Sequence, residues 1–249
     1  MKLTIKNRKN QNIVVELEKS ENQKGLVFIE HGLSASKDKA YIIAYAEVFK
    51  NKKFTVVRFD TTNTFGESDG SYADATVTNY YEDLEDVIKW SSQENWYEEP
   101  FWLVGHSLGA ISSALYAEKY PDKVKALAPT SSVISGELSL TIPKYNNWEE
   151  MKERGWIEEK NGIKLNSNHI IDRLKYDLLK DADKLTMPVL LMVGSLDEST
   201  PLKHQKLLFD KLVGEKRLEV IEGAPHSFKE PEHLKKIKEI FSNWIDSIK

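Results

Sequence analysis

Residues 101–120 read "FWLVGHSLGAISSALYAEKY", and the way this stretch folds fixes the reading of the rest. Phe101 to Val104 is a short apolar run, stopped by Gly105, with the length and aromatic content of a buried strand. From Leu108 onward the period changes. Ala110, Ser113, Ala114 and Ala117 form a helical stripe of small residues, which lets that face lie close against a sheet. Between the two sits "GHSLG", a Gly-x-Ser-x-Gly pentad at Gly105 to Gly109. At a strand–turn–helix junction the glycines permit a turn too tight for side chains, and the serine stands at its top. The helix N-terminus places N–H groups and partial positive charge beside that serine, which suits a developing oxyanion. Ser107 is therefore the expected nucleophile.

A second pentad, "GESDG" at Gly66 to Gly70, has the same pattern in a different setting. Six positions separate the end of the preceding apolar run at Asp60 from Gly66, and the polar "SYADATVTNY" follows instead of an apolar helix. Gly, Ser and Asp in that arrangement are sufficiently explained as loop formers, so Ser68 is read as structural.

The same two periods alternate along the chain. Apolar or β-branched runs are "LTIKN", "IVVELE", "GLVFIE", "FTVVRFD", "FWLVGH", "VKALAP", "PVLLMVG" and "KRLEVIE". Helical segments follow the later ones: "KAYIIAYAEVFKNK", "NYYEDLEDVIKWSSQ", "LGAISSALYAEKY", "PLKHQKLLFDKLV" and the C-terminal "PEHLKKIKEIFSNWIDSIK". Repeated strand–helix units predict an α/β fold with a mostly parallel sheet covered by helices on both faces. The short "NRKNQN" turn between the first two strands makes that entry antiparallel. Only residues 136–183 break the rhythm, with aromatics and short amphipathic pieces but no strong buried strand, and they read as an insertion over the C-terminal edge of the sheet.

A serine needs a base, and the base an orienting acid. In an open parallel sheet, reacting groups collect at the C-terminal ends of strands. "PVLLMVGSLDEST" delivers Asp197 just past one strand end, and "KRLEVIEGAPHSF" delivers His226 past the last. Glu198, next to Asp197, and Asp60, at another strand end, are the rival acids. His106 adjoins the serine and is expected to pack behind the turn; His204 and His233 read as residues of solvated helices, and His169 falls in the insertion. One oxyanion donor in such a site is the residue after the nucleophile, Leu108; Leu33, after His31-Gly32 at the end of "GLVFIE", is the expected second. His31 itself reads as a residue that shapes its loop.

Composition narrows the partners. The 249 residues are 40% hydrophobic and 30% charged with net charge −4, enough for a sizeable core and without a basic patch for nucleic acid or an anionic membrane. With no cysteine there is no disulfide, thiol nucleophile or thiolate metal site, and no His-x-x-x-His pair suggests zinc. The N-terminal "MKLTIKNRKNQ" lacks the apolar core of a signal peptide, so a cytoplasmic protein is expected. The chemistry calls for no cofactor and no metal, with a small-molecule ester as partner; the sequence sets no oligomeric state.

"HGLSASKD", "VVRFD…FGESDG", "VGHSLGA", "LLMVGSLDESTP" and "GAPHSF" together resemble the α/β-hydrolase superfamily nearly end to end. Within it the chain is most similar to small bacterial carboxylesterases of the feruloyl or cinnamoyl esterase type and their peptidase-like relatives. That resemblance implies an α/β-hydrolase fold with an eight-stranded sheet and a small cap inserted after the sixth strand. Residues 1–135 and 184–249 would form the core and 136–183 the cap. It also implies a Ser107–His226–Asp197 triad acting on a carboxylic ester through an acyl-enzyme, with peptidase, amidase or thioesterase activity and a non-catalytic binding protein as alternatives. One departure is Phe65, where relatives often carry the histidine of Gly-His-Gly-x-Ser. The aromatics Tyr145, Trp148, Trp156 and Tyr176 in the cap would select the substrate, unless they form the insertion's own small core.

Overall fold

The computed structural model describes residues 1–158 and 162–248. All eight expected strands form: β1 (Lys2–Lys6), β2 (Asn12–Glu18), β3 (Gly25–Glu30), β4 (Phe54–Phe59), β5 (Phe101–His106), β6 (Val124–Thr130) and, after a short hairpin β7 (Trp156–Glu158) and β8 (Lys164–Asn166), β9 (Val189–Gly194) and β10 (Lys216–Ile221). They make one sheet in the order β1-β2-β4-β3-β5-β6-β9-β10, with the hairpin forming a separate small sheet. β2 pairs antiparallel with β1 and with β4, and every other described pairing in the large sheet is parallel. β3, β5 and β9 are buried along their full length, which is why they read as continuous apolar runs. The edges are protected by composition: β10 carries Lys216, Arg217 and Glu219, and β1 begins and ends in lysine.

Helices α1 (Ala40–Asn51), α2 (Val77–Ser91), α3 (Leu108–Lys119), α4 (Gly136–Ser139), α5 (Trp148–Arg154), α6 (Asn168–Arg173), α7 (Leu202–Lys211) and α8 (Pro231–Ser247) complete the chain. On one face of the sheet α1 and α8 bury an aromatic layer in which Tyr45, Phe49, Trp102, Phe241 and Trp244 meet. α8 reaches it through Ile237, Ile240, Phe241, Trp244 and Ile245, the i, i+3/4, i+7 stripe of an amphipathic helix. α2, α3 and α7 cover the opposite face. α2 starts two residues before the segment expected from the sequence, because the Thr76 hydroxyl accepts the Asn79 N–H at 3.1 Å and caps it. Among the described residues, no helix is long and apolar enough to cross a membrane.

Residues 136–183 connect β6 to β9, and positions 159–161 of this segment lie outside the described residues. The segment leaves and returns at one point. Ser135 and Asp177 bridge antiparallel, with Gly136 N–H donating to Tyr176 C=O at 3.0 Å and Leu178 N–H to Ile134 C=O at 2.9 Å. A Cβ on Gly136 would lie 2.3 Å from the Arg173 carbonyl, so this closure requires glycine. The hairpin β7–β8 appears where the sequence shows no strong buried strand, its three-residue strands each burying one side chain, Ile157 and Leu165. α6 then docks on the start of α2: Asp172 accepts the Thr78 N–H at 2.9 Å and its hydroxyl at 2.6 Å, and His169 Nδ1 donates to Ala75 C=O at 2.7 Å.

Glu118, near the C-terminal end of α3, has its carboxyl pushed up to about 8, first by burial and then by the negative charge of Asp181, with Asp177 and Asp183 adding and Lys184 opposing. A folded-state value above the unfolded one stabilises the protein at acid pH and loses that stabilisation as pH rises from the ordinary glutamate range to about 8. Glu118→Gln is expected to match the wild type near pH 4.5 and to unfold several degrees higher at pH 8.5, where the buried charge has formed in the wild type. Thermal melts across that range check it; equal melting differences at both ends would remove the charge explanation.

Candidate active site

The turn between β5 and α3 forces Ser107 into φ 58°, ψ −110°, a conformation that residues with a side chain rarely adopt. Three glycines make room for it. A Cβ on Gly105 would lie 2.2 Å from Gly109 C=O, one on Gly109 2.5 Å from His31 C=O, and one on Gly32 2.8 Å from Ser107 Cβ. Leu33, beside Gly32, and Leu108, at the first position of α3, both line the cavity that Ser107 faces. Neither backbone N–H has a hydrogen-bond partner among the described residues. Two unspent donors beside a hydroxyl form an arrangement able to hold an oxyanion.

The loops after β9 and β10 are laced together. Ser195 N–H donates to Ile221 C=O and Leu196 N–H to Ala224 C=O, each at 3.0 Å. The second loop crosses so close to Gly194 that a Cβ there would lie 2.1 Å from Ala224 C=O. This crossing sets Asp197 against His226. Asp197 Oδ2 lies 2.8 Å from His226 Nδ1, and His226 Nε2 lies 3.0 Å from Ser107 Oγ. An ionised carboxylate only accepts, so Nδ1 carries the proton and Nε2 is left to accept from the serine hydroxyl. The Asp197 carboxyl is buried, which alone would raise it, but the His226 hydrogen bond and charge and the Thr200 donors hold it well below the usual carboxylate range.

Of the rival acids, Glu198 is solvent-exposed. Asp60 is spent elsewhere, accepting from Lys37 Nζ at 3.0 Å, Lys37 N–H at 2.7 Å and Glu67 N–H at 2.9 Å. Ser68 is structural in its contacts: its hydroxyl donates to Asp60 C=O at 2.6 Å and accepts the Val14 N–H at 2.8 Å. His31 accepts the Thr61 N–H on Nε2 at 3.2 Å and shapes its loop. His106 is buried between Tyr41 and Phe228 and donates from Nε2 to His226 C=O at 2.9 Å, tying the histidine loop to the serine turn. Burial, and then the neighbouring His226, push its pKa down to about 3, so it stays neutral. His204 departs from expectation: it is buried, with Nε2 3.3 Å from the Thr141 hydroxyl, because α7 packs under the inserted segment.

Sequence reasoning missed two residues here. Thr200 gives Asp197 three supports when counted with its neighbour: Thr200 N–H and Ser199 N–H to Oδ1 at 2.9 Å each, and the Thr200 hydroxyl to Oδ2 at 2.8 Å. The signal was present as Asp-x-x-Thr before a helix, the spacing at which an aspartate caps the following backbone. The other is Arg173, which lines the cavity from α6.

The cavity has a volume of about 580 Å³, within the range of small-molecule sites. Of the four inserted aromatics, the structure brings only Tyr145 to its wall. Trp148 is buried in the main hydrophobic cluster, Trp156 lies between the cations of Arg154 and Lys164, and Tyr176 turns its hydroxyl to Thr78 at 2.5 Å. Each of these three rings is engaged in contacts away from the cavity. Among the described residues, no group of His, Cys, Asp or Glu is arranged to hold a metal ion.

Comparison with known proteins gives consistent findings. The family described as serine aminopeptidase, S33, matches residues 21–168, and the family described as PhoPQ-activated pathogenicity-related protein matches residues 131–249. No curated protein sequence matches the chain. Among solved structures, Est1E from Butyrivibrio proteoclasticus, determined with bound ferulic acid, is 22% identical with a TM-score of 0.85, over 99% of this chain and 98% of that one. Mouse alpha/beta hydrolase domain-containing protein 10 is 22% identical with a TM-score of 0.83, over the whole of both chains. The monoacylglycerol lipase of Paleococcus ferrophilus is 21% identical with a TM-score of 0.75, over 95% and 99%. These likenesses establish the fold.

Proposed function

Because the chain belongs to the serine aminopeptidase S33 family of α/β hydrolases, we propose that it is a serine hydrolase that cleaves small carboxylic esters. The observation that carries this reading is the Ser107–His226–Asp197 relay, at 3.0 and 2.8 Å, opening on a cavity beside two unspent backbone N–H groups. Ser107 Oγ attacks the ester carbonyl while its proton passes to His226 Nε2. Leu33 and Leu108 N–H groups hold the tetrahedral oxyanion. His226 then protonates the leaving alcohol, and a water molecule, deprotonated by the same nitrogen, releases the acid from the acyl-enzyme. Asp197 keeps Nδ1 protonated and stabilises the imidazolium throughout. No cofactor enters these steps.

The aminopeptidase activity in the family's description is the second reading. Such an enzyme must hold the α-ammonium group of its substrate, which a carboxylate does best. The cavity wall has no Asp or Glu among the described residues and carries Lys39, Lys144, Arg173 and Lys229 instead, a lining that repels an ammonium group. This favours the ester. Fluorophosphonate labelling that disappears in Ser107→Ala, with turnover of 4-nitrophenyl esters exceeding that of aminoacyl anilides, is the expected result. Labelling at another residue, or faster anilide turnover, would overturn the respective part.

In this reading residues 136–183 act as a cap that selects the acyl group, with Tyr145 the ring in contact with it. Tyr145→Ala is expected to lower kcat/KM for cinnamoyl esters by about 1–3 kcal/mol relative to acetyl esters. Measuring acetyl, butyryl and cinnamoyl esters beside thermal melts decides it. Equal losses for all three, tracking a lower melting temperature, would leave Tyr145 a packing role only.

A further inference from the structure

Among the described residues, no carboxylate neutralises the charge of Arg173. Arg173 closes α6, is 5% exposed and lines the same cavity as Ser107. Its hydrogen-bond partners are uncharged. Nη2 donates to His169 Nε2, and Nη1 makes a long 3.5 Å contact with the Tyr145 hydroxyl. The guanidinium lies 5.7 Å from the Tyr145 ring centre, and Nε has no partner. His169 cannot supply negative charge: it gives its Nδ1 proton to Ala75, and burial, then the Arg173 charge, push its pKa well below the ordinary histidine value. The adjacent Asp172 is turned away, bonded to Thr78 and Lys175. Among the described residues, no carboxylate is paired with Arg173.

Burying a cation without an anion is costly, and proteins avoid it where they can. The cost is recovered if the missing anion belongs to a ligand. The rest of the cavity agrees, since Lys39 and Lys229 line it and no acidic side chain does so among the described residues, although the whole chain has 39 acidic against 35 basic residues. A positive cavity in an acidic protein focuses the field on an anionic substrate.

We propose that Arg173 binds a carboxylate of the substrate, so that the ester cleaved at Ser107 bears a free carboxylate on its acyl or alcohol part. A carboxylate is preferred over a phosphate monoester because its single charge matches the one buried guanidinium, whereas phosphate brings nearly two. The assignment rests on the esterase reading above and names its substrate class.

Two matched ester pairs test it at low ionic strength. Mono-4-nitrophenyl adipate against 4-nitrophenyl hexanoate places the charge on the acyl side, and 4-carboxyphenyl butanoate against 4-carbamoylphenyl butanoate places it on the leaving alcohol. In at least one pair the charged ester is expected to have a kcat/KM at least about 10-fold higher, the scale of a charge-assisted hydrogen bond in a partly closed site. That ratio should fall to about 1 in Arg173→Met and recover in part in Arg173→Lys. Calorimetry of adipate on the wild-type protein supplies a readout independent of turnover and of how the variants fold. Binding at millimolar concentrations or tighter, weakened by salt, is expected. A wild type that favours the neutral ester in both pairs and does not bind adipate overturns the proposal, as does a preference that survives in Arg173→Met. Adipate binding without hydrolysis of any ester would instead leave Arg173 as the anion site and overturn the esterase reading.

Discussion

Ser107→Ala is expected to lower kcat for 4-nitrophenyl esters by at least about 10³-fold while the protein stays folded. The hydroxyl lost is the one 3.0 Å from His226 Nε2, and no other hydroxyl is described at that nitrogen. Ser107→Gly should be as inactive and more stable, because φ 58°, ψ −110° costs a residue with a β-carbon about 1–3 kcal/mol and costs glycine much less. Ser68→Ala is the matching control with the opposite pattern. It removes hydrogen bonds to Asp60 C=O and from Val14 N–H, so it should destabilise the fold by about 1–2 kcal/mol and change turnover only a few-fold. Steady-state kinetics and denaturant melts on the three variants settle the assignment. Activity that survives in Ser107→Ala and disappears in Ser68→Ala would exchange the roles of the two pentads.

Asp197→Asn is expected to cost about 10²- to 10⁴-fold in kcat with little change in the surrounding backbone. The Ser199 and Thr200 N–H groups can still donate to the amide oxygen as they do to Oδ1 at 2.9 Å, so the loop keeps its shape. The amide nitrogen would then face His226 Nδ1 as a donor. That favours the tautomer with the proton on Nε2, which cannot take another from Ser107. The wild-type carboxyl is held below its usual range, so its contribution is present above the unfolded value and is lost only as pH falls below the ordinary carboxylate range. Glu198→Gln, at an exposed position, should remain within a few-fold of wild type. Kinetics on this pair of variants distinguishes the acids; loss in Glu198→Gln with retention in Asp197→Asn would transfer the role.

Much of the molecule follows from local pattern alone. The eight sheet strands and five long helices are visible as changes of period, since burial on both faces gives continuous apolar runs and burial on one face gives helical stripes. The serine turn is legible for the same reason: Gly105 and Gly109 are demanded by backbone contacts of 2.2 and 2.5 Å that no side chain could tolerate. Asp197 and His226 could be chosen from the sequence because each follows a strand end, and strand ends in a parallel sheet converge. What the chain could not disclose by itself is which side chains meet across long separations. The support of Asp197 by Thr200, the burial of His204 and the hairpin β7–β8 depend on how short segments pack, not on their own periodicity. The inserted aromatics show the limit best. Their composition left a substrate-facing set and a packing role both open, and Trp148, Trp156 and Tyr176 make their contacts away from the cavity. Arg173 is one of 35 basic residues in the sequence, and only the tertiary structure encloses it among neutral partners in the wall of the cavity, where no carboxylate among the described residues pairs with it.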